Sequence, residues 1–162
     1  MIICRYCGRS APKFSPGEKV ASEFSGIERR LDKLSERLGR LEPLKSKNKA
    51  EFDRDPYLRD IAERNLEVAA QCVLDISHRL ISLTGALRPR DYYEAILRLG
   101  ELGVLPPDFA THLAPLAGFR NILVHEYLAV DWQEVYRNLQ QIDDLSRFAD
   151  LVRQWLRQEK SP

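Results

Sequence analysis

Apolar residues recur along this chain in steps of three and four, the period of helices that bury one side. Ile27, Leu31, Leu34, Leu38 and Leu41 form the first such stripe. Just ahead of it, Ser25-Gly-Ile-Glu28 has the spacing of a capping box, so a first helix is expected from Ser25. The stripe runs barely two heptads, too short for a durable coiled-coil seam, and is assigned to packing against the protein's own helices. Pro43 and the lysine-rich stretch 45–49 break the pattern, and Asp55-Pro56 opens a second helix with a capping carboxylate and a proline suited to the first turn. Leu58, Ile61, Ala62, Ala69, Cys72, Val73, Ile76, Leu80 and Leu83 give it a stripe broad enough to be sandwiched, which predicts a central helix ending at Gly85.

Asp91 caps a shorter helix bearing Tyr92, Ile96 and Leu99, and Pro106-Pro107-Asp108 starts the next. Pro115 and Gly118 predict that this one bends or breaks before Phe119 and resumes through Val124. Asp131-Trp-Gln-Glu134 reads as a cap for one long last helix with Val135, Leu139, Ile142, Leu145, Phe148, Val152 and Leu156 on its apolar side. No stretch alternates with period two for long enough to be a strand. The pattern predicts an all-α fold, an antiparallel bundle of about five helices over residues 24–160. Residues 1–23, with Pro12, Pro16, Gly8 and Gly17 and no sustained apolar period, read as a flexible leader outside it.

Composition narrows the function. The chain has 162 residues, 44% hydrophobic and 30% charged, which fits a single globular domain able to bury about 70% of its unfolded surface. A net charge of +1 removes the bulk electrostatic footprint of a nucleic-acid binder, so any RNA site must be local. The 18 arginines against 7 lysines lean towards phosphate, which guanidinium grips through a planar fork. No apolar run approaches the roughly 18 residues of a membrane span and no signal-peptide core opens the chain, so a cytoplasmic location is expected. The three cysteines do not make a disulfide framework. Cys4-Arg-Tyr-Cys7-Gly has the turn of a zinc knuckle but supplies two ligands of four, and a zinc there would need ligands from another chain.

Gly-rich phosphate loops, nucleophile elbows and His-Glu-x2-His are all missing. One dense polar cluster interrupts an apolar run: Phe119-Arg120-Asn121-Ile-Leu-Val-His125-Glu-Tyr127. On a helix Asn121 and His125 share a face, Arg120 lies beside them, and Tyr127 is two turns from Arg120 on the same side. An imidazole can take the proton of a ribose 2′-hydroxyl or protonate the leaving 5′-oxygen, while an arginine stabilises charge on the phosphorus, with Asn121 as a brace. No metal or cofactor is demanded by that chemistry. Taken alone, Arg-x4-His is a weak signal, since the same side chains could simply tie neighbouring helices together through buried hydrogen bonds. Asp75 and His78, three apart on the central helix, are read as a structural pair.

The arrangement Arg120-Asn121-x3-His125-x-Tyr127 resembles the hallmark of the HepT-like toxins of the HEPN superfamily. The resemblance extends to Asp55-Pro56 opening a long helix, to the stretch from Val68 to His78, to Leu116-Ala-Gly-Phe119 and to a capped final helix, covering residues 24–157. Cys4 and Cys7 lie outside the family pattern. The resemblance implies a metal-independent RNA endonuclease, the toxin of a type VII toxin–antitoxin system, acting as a homodimer in which two Arg-x4-His motifs face one cleft. It implies as partner an MntA-type nucleotidyltransferase antitoxin, which silences the enzyme by adenylylating a tyrosine. By motif position, Arg120 and His125 are catalytic, Asn121 is supporting and Tyr127 is the modified residue. The alternative is a non-catalytic HEPN-like module that binds a nucleotide or a protein through the same residues.

Overall fold

The computed structural model describes residues 16–125 and 130–160. Among them are eight helices: α1 (Pro16–Lys45), α2 (Lys49–Arg54), α3 (Pro56–Thr84), α4 (Tyr92–Glu101), α5 (Pro107–Leu113), α6 (Leu116–His125), α7 (Trp132–Gln140) and α8 (Ile142–Lys160). The described residues contain no strand, and the all-α bundle stands.

Three of the expected caps are local bonds that the side chain makes a few residues ahead. Asp55 accepts from the Tyr57 and Leu58 amides, Asp91 from Glu94, and Asp131 from Gln133 and Glu134. Gly85 closes α3 at φ 72°, in the left-handed region where a side chain is strained. The break expected between Pro106 and Phe119 falls at Ala114 and Pro115, between α5 and α6.

Elsewhere the helices depart from the pattern. α1 is already helical at Pro16, so Ser25 lies inside it rather than capping it, and the expected domain boundary at 23 is crossed by a continuous helix. Tertiary contacts draw this segment in: Phe24 packs against the core, and Glu23 pairs with Arg79 of α3 at 2.7 Å. Pro43 sits in the last turn of α1 without ending it. The break after Lys45 is followed by the unpredicted α2, whose Asn48 and Glu51 form a capping box and whose Phe52 is buried against the Tyr136 ring. The single long last helix is in fact two, α7 and α8, divided at Gln141 (φ −105°, ψ 14°).

α1 and α3 run antiparallel, as the pairs Glu23–Arg79, Arg30–Asp75 and Arg37–Asn65 show. α8 returns along α1, with Arg153 reaching Ser35 and Lys45 reaching Asp143. Ile27, Leu34 and Leu41 from α1, Leu66, Ile76 and Leu80 from α3, and Phe148 from α8 are completely buried in the shared core. Each such side chain contributes about 1.5–3 kcal/mol by leaving water. α3 is the axis on which α4, α6 and α7 also pack, and it therefore offers a floor shared by residues of these helices and α1.

Candidate active site

α6 carries the polar cluster. Leu116, Phe119 and Leu123 recur at helical spacing and are buried, which seats the helix on the core. That seating leaves Arg120 half-buried at the edge of the α3 surface and Asn121 exposed. Arg120 donates its Nε–H to Gln71 Oε1 at 2.7 Å, and its Nη1 reaches Asn121 Oδ1 at 3.4 Å. The structure thus brings Arg120 and Asn121 together as expected. His125 is the last residue of α6, on the same helix as Arg120. The His125 side chain, Tyr127, Cys4 and Cys7 lie outside the described residues.

Behind Arg120 the polar contacts continue across three helices. Gln71 Nε2 donates to Asp75 Oδ1 at 2.7 Å, Arg30 Nε donates to Asp75 Oδ2 at 3.2 Å, and Arg30 Nη1 donates to the Gly26 carbonyl at 3.1 Å. Gly26 lies where α1 meets α3, and a Cβ there would come within 2.7 Å of Arg79 Nη1, so that guanidinium would have to shift. Asp75 therefore serves Arg30 and Gln71, while His78 packs edge-on against the Tyr92 ring with centroids 5.0 Å apart. Burial, and secondarily Arg88, hold the His78 imidazole below its ordinary pKa, with Asp75 opposing. Burial, reinforced by Asp75, pushes the Cys72 thiol up, which favours its neutral form.

Gln71, Asp75, His78 and Ser82 form one polar stripe along α3, and the last three open onto a cleft that Arg30, Arg79 and Arg88 also line. The motif at residues 119–127 does not include Gln71. Its signal was present: with Asp75 it interrupts a run in which Ala69, Ala70, Cys72, Val73, Leu74 and Ile76 are all buried, and two polar residues four apart in such a run face a common partner. Among the described residues no group of three or more His, Cys, Asp or Glu is placed to hold a metal ion, and no helix is long and apolar enough to cross a membrane.

Comparison with known proteins bears on this arrangement. Residues 27–152 match the family model described as Ribonuclease HepT-like. The tRNA nuclease HepT of Aphanizomenon flos-aquae is 31% identical over 115 residues, which is 68% of this chain and 75% of that protein. Among solved structures, the tri-AMPylated HEPN toxin of Shewanella oneidensis, in complex with an MNT antitoxin, superposes with a TM-score of 0.70 at 20% identity, covering 78% of this chain and 96% of that one. YutE of Bacillus subtilis, a cytosolic protein of unknown function, superposes with a TM-score of 0.64 at 21% identity over 93% and 97% of the two chains.

Proposed function

The chain belongs to the HepT-like ribonuclease family, and from that membership we propose that it is a metal-independent RNA endonuclease, the toxin of a type VII toxin–antitoxin pair. The observation that carries the proposal is the placement of Arg120 and His125 on one helix, α6, with the Arg120 side chain held against α3.

In this reading His125 takes the proton of a ribose 2′-hydroxyl. The freed oxygen attacks the adjacent phosphorus, the bond to the 5′-oxygen breaks, and a second His125, from the partner in a two-fold dimer, returns a proton to that oxygen. The products are a 2′,3′-cyclic phosphate and a 5′-hydroxyl. General acid–base transfer of this kind contributes about 10²- to 10⁴-fold. Arg120 stabilises the charge that builds on the phosphoryl oxygens, which its fixed guanidinium can do without reorganising. Asn121, at hydrogen-bond range of Arg120, braces it. An MntA-type nucleotidyltransferase then controls the enzyme by adenylylating Tyr127, two residues beyond the base.

The test is RNA cleavage by the purified chain. Arg120→Ala and His125→Ala are expected to lose cleavage while keeping the helical fold by circular dichroism, and EDTA is expected to leave the wild-type rate unchanged. Equal cleavage by wild type and both variants would overturn the catalytic assignment, and a chelator-sensitive rate would overturn the metal-independent one. A chain that binds RNA or nucleotide without turnover would be the non-catalytic module instead.

A further inference from the structure

Arg120 is held by side chains that the acid–base chemistry does not itself use. Gln71 accepts the Arg120 Nε–H on Oε1 and donates from Nε2 to Asp75, both at 2.7 Å. A guanidinium only donates and an ionised carboxylate only accepts, so these two neighbours leave the Gln71 amide a single orientation. Asp75 cannot drift, because Arg30 of α1 holds its other oxygen, and Arg30 is tied in turn to the Gly26 carbonyl.

We infer that Gln71 is a positioning residue for the cleavage reaction: its amide, polarised by Asp75, aims the Arg120 guanidinium at the scissile phosphate while leaving its charge intact. The inference rests on the ribonuclease reading above. The neutrality of Gln71 is what matters. A carboxylate at position 71 would fix Arg120 equally well but would form an ion pair with it, offsetting the positive charge the phosphate needs. An amide engages Nε alone, and among the described residues the remaining N–H groups meet only the long 3.4 Å contact to Asn121. The negative charge of Asp75 is kept one side chain away and is itself countered by Arg30. The site thereby gains an oriented arginine on a rigid helix, the arrangement in which a preformed electrostatic stabiliser is most effective.

The experiment compares full-length wild type, Gln71→Met, Asp75→Asn and the double variant. Methionine keeps length, helix preference and packing at position 71 but makes neither bond. We expect kcat for RNA cleavage to fall about ten- to a hundredfold in Gln71→Met, as misplacement of a catalytic group does, with KM nearly unchanged. Asp75→Asn should slow the reaction too, because an asparagine NH₂ can bond Gln71 Oε1 and turn the amide's donor end towards Arg120. The double variant should be no slower than Gln71→Met alone, since both changes act through one bond. Wild-type kcat in Gln71→Met, or multiplicative losses in the double variant, would overturn the inference. Should Gln71→Met fold poorly, Asp75→Asn alone decides, by its effect on kcat against KM.

A second readout does not need RNA. The ¹⁵Nε–H resonance of Arg120, assigned by its loss in Arg120→Lys, should exchange slowly in wild type and rapidly in Gln71→Met. A fast-exchanging wild-type signal refutes the positioning role even if RNA is cut. Slow exchange that is lost in Gln71→Met, in a chain that does not cut RNA, upholds the orientation of Arg120 and removes the ribonuclease reading instead.

Discussion

Glu23 accepts a hydrogen bond from Arg79 Nη1 at 2.7 Å, fastening the early turns of α1 to the second half of α3 across 56 residues of sequence. The pair is partly shielded, at 22% and 32% side-chain exposure. It binds a segment that the apolar pattern places outside the fold.

Glu23→Ala is expected to cost about 1 kcal/mol, which for a chain of this size lowers the melting temperature by about 2–4 °C. Deleting residues 1–24 should cost more, because Phe24 packs on the core as well. Differential scanning calorimetry on the three proteins checks this. A truncated chain melting at the full-length temperature would show that the early turns of α1 contribute nothing.

His78 makes stability depend on pH. Its folded-state pKa lies below the ordinary 6.5, from burial first and Arg88 second. Below pH 6.5 the unfolded chain therefore takes up a proton that the folded His78 resists, so its contribution is complete above that pH and is lost as pH falls. Melting temperature should drop between pH 7 and 5, and His78→Phe, which keeps a ring against Tyr92, should flatten part of that slope. A slope identical to wild type in His78→Phe would refute the assignment.

Tyr127 is the expected control point. Incubation with ATP and the cognate nucleotidyltransferase should join the phenol oxygen to the α-phosphorus of ATP with release of pyrophosphate, each AMP adding about one negative charge where substrate phosphate must sit. Mass spectrometry should place the addition on Tyr127, and Tyr127→Phe should escape it while retaining RNA cleavage. Modification at another residue, or a Phe variant still silenced by the transferase, ends this hypothesis.

Two-fold pairing makes a sharper prediction than mass alone. If each cleft draws its acid and its base from the His125 of different subunits, a mixed dimer of wild-type and His125→Ala chains holds only one of the two, so excess His125→Ala protein should suppress wild-type cleavage, and light scattering should return twice the chain mass. A fully active monomer would refute the composite site.

The sequence by itself determined the class of fold, which is written in short-range spacing, and it offered Arg120 and His125 as a candidate pair through the resemblance of their motif to a known family. Caps at Asp55, Asp91 and Asp131 are bonds to amides two or three residues away, Gly85 is a left-handed stop that few other residues allow, and Arg120 and His125 sit five apart on one helix. What the sequence did not reveal depends on partners far along the chain. Phe52 gives α2 a buried anchor because α3 and Tyr136 of α7 come against that helix, and α1 is helical well before Ser25, where Glu23 and Phe24 find α3 and the core. The division at Gln141 has neither glycine nor proline to announce it; Lys45 of α1 meets Asp143 just beyond, and Leu139 and Ile142 are buried on either side. The same holds at the site: Arg120 was legible, but its orientation was decided by Gln71, 49 residues away, through a bond that exists only once α6 has packed on α3. Local spacing selects helices and names reactive groups, whereas the direction in which a side chain points is set by whichever polar atoms the packed helices bring within hydrogen-bond reach.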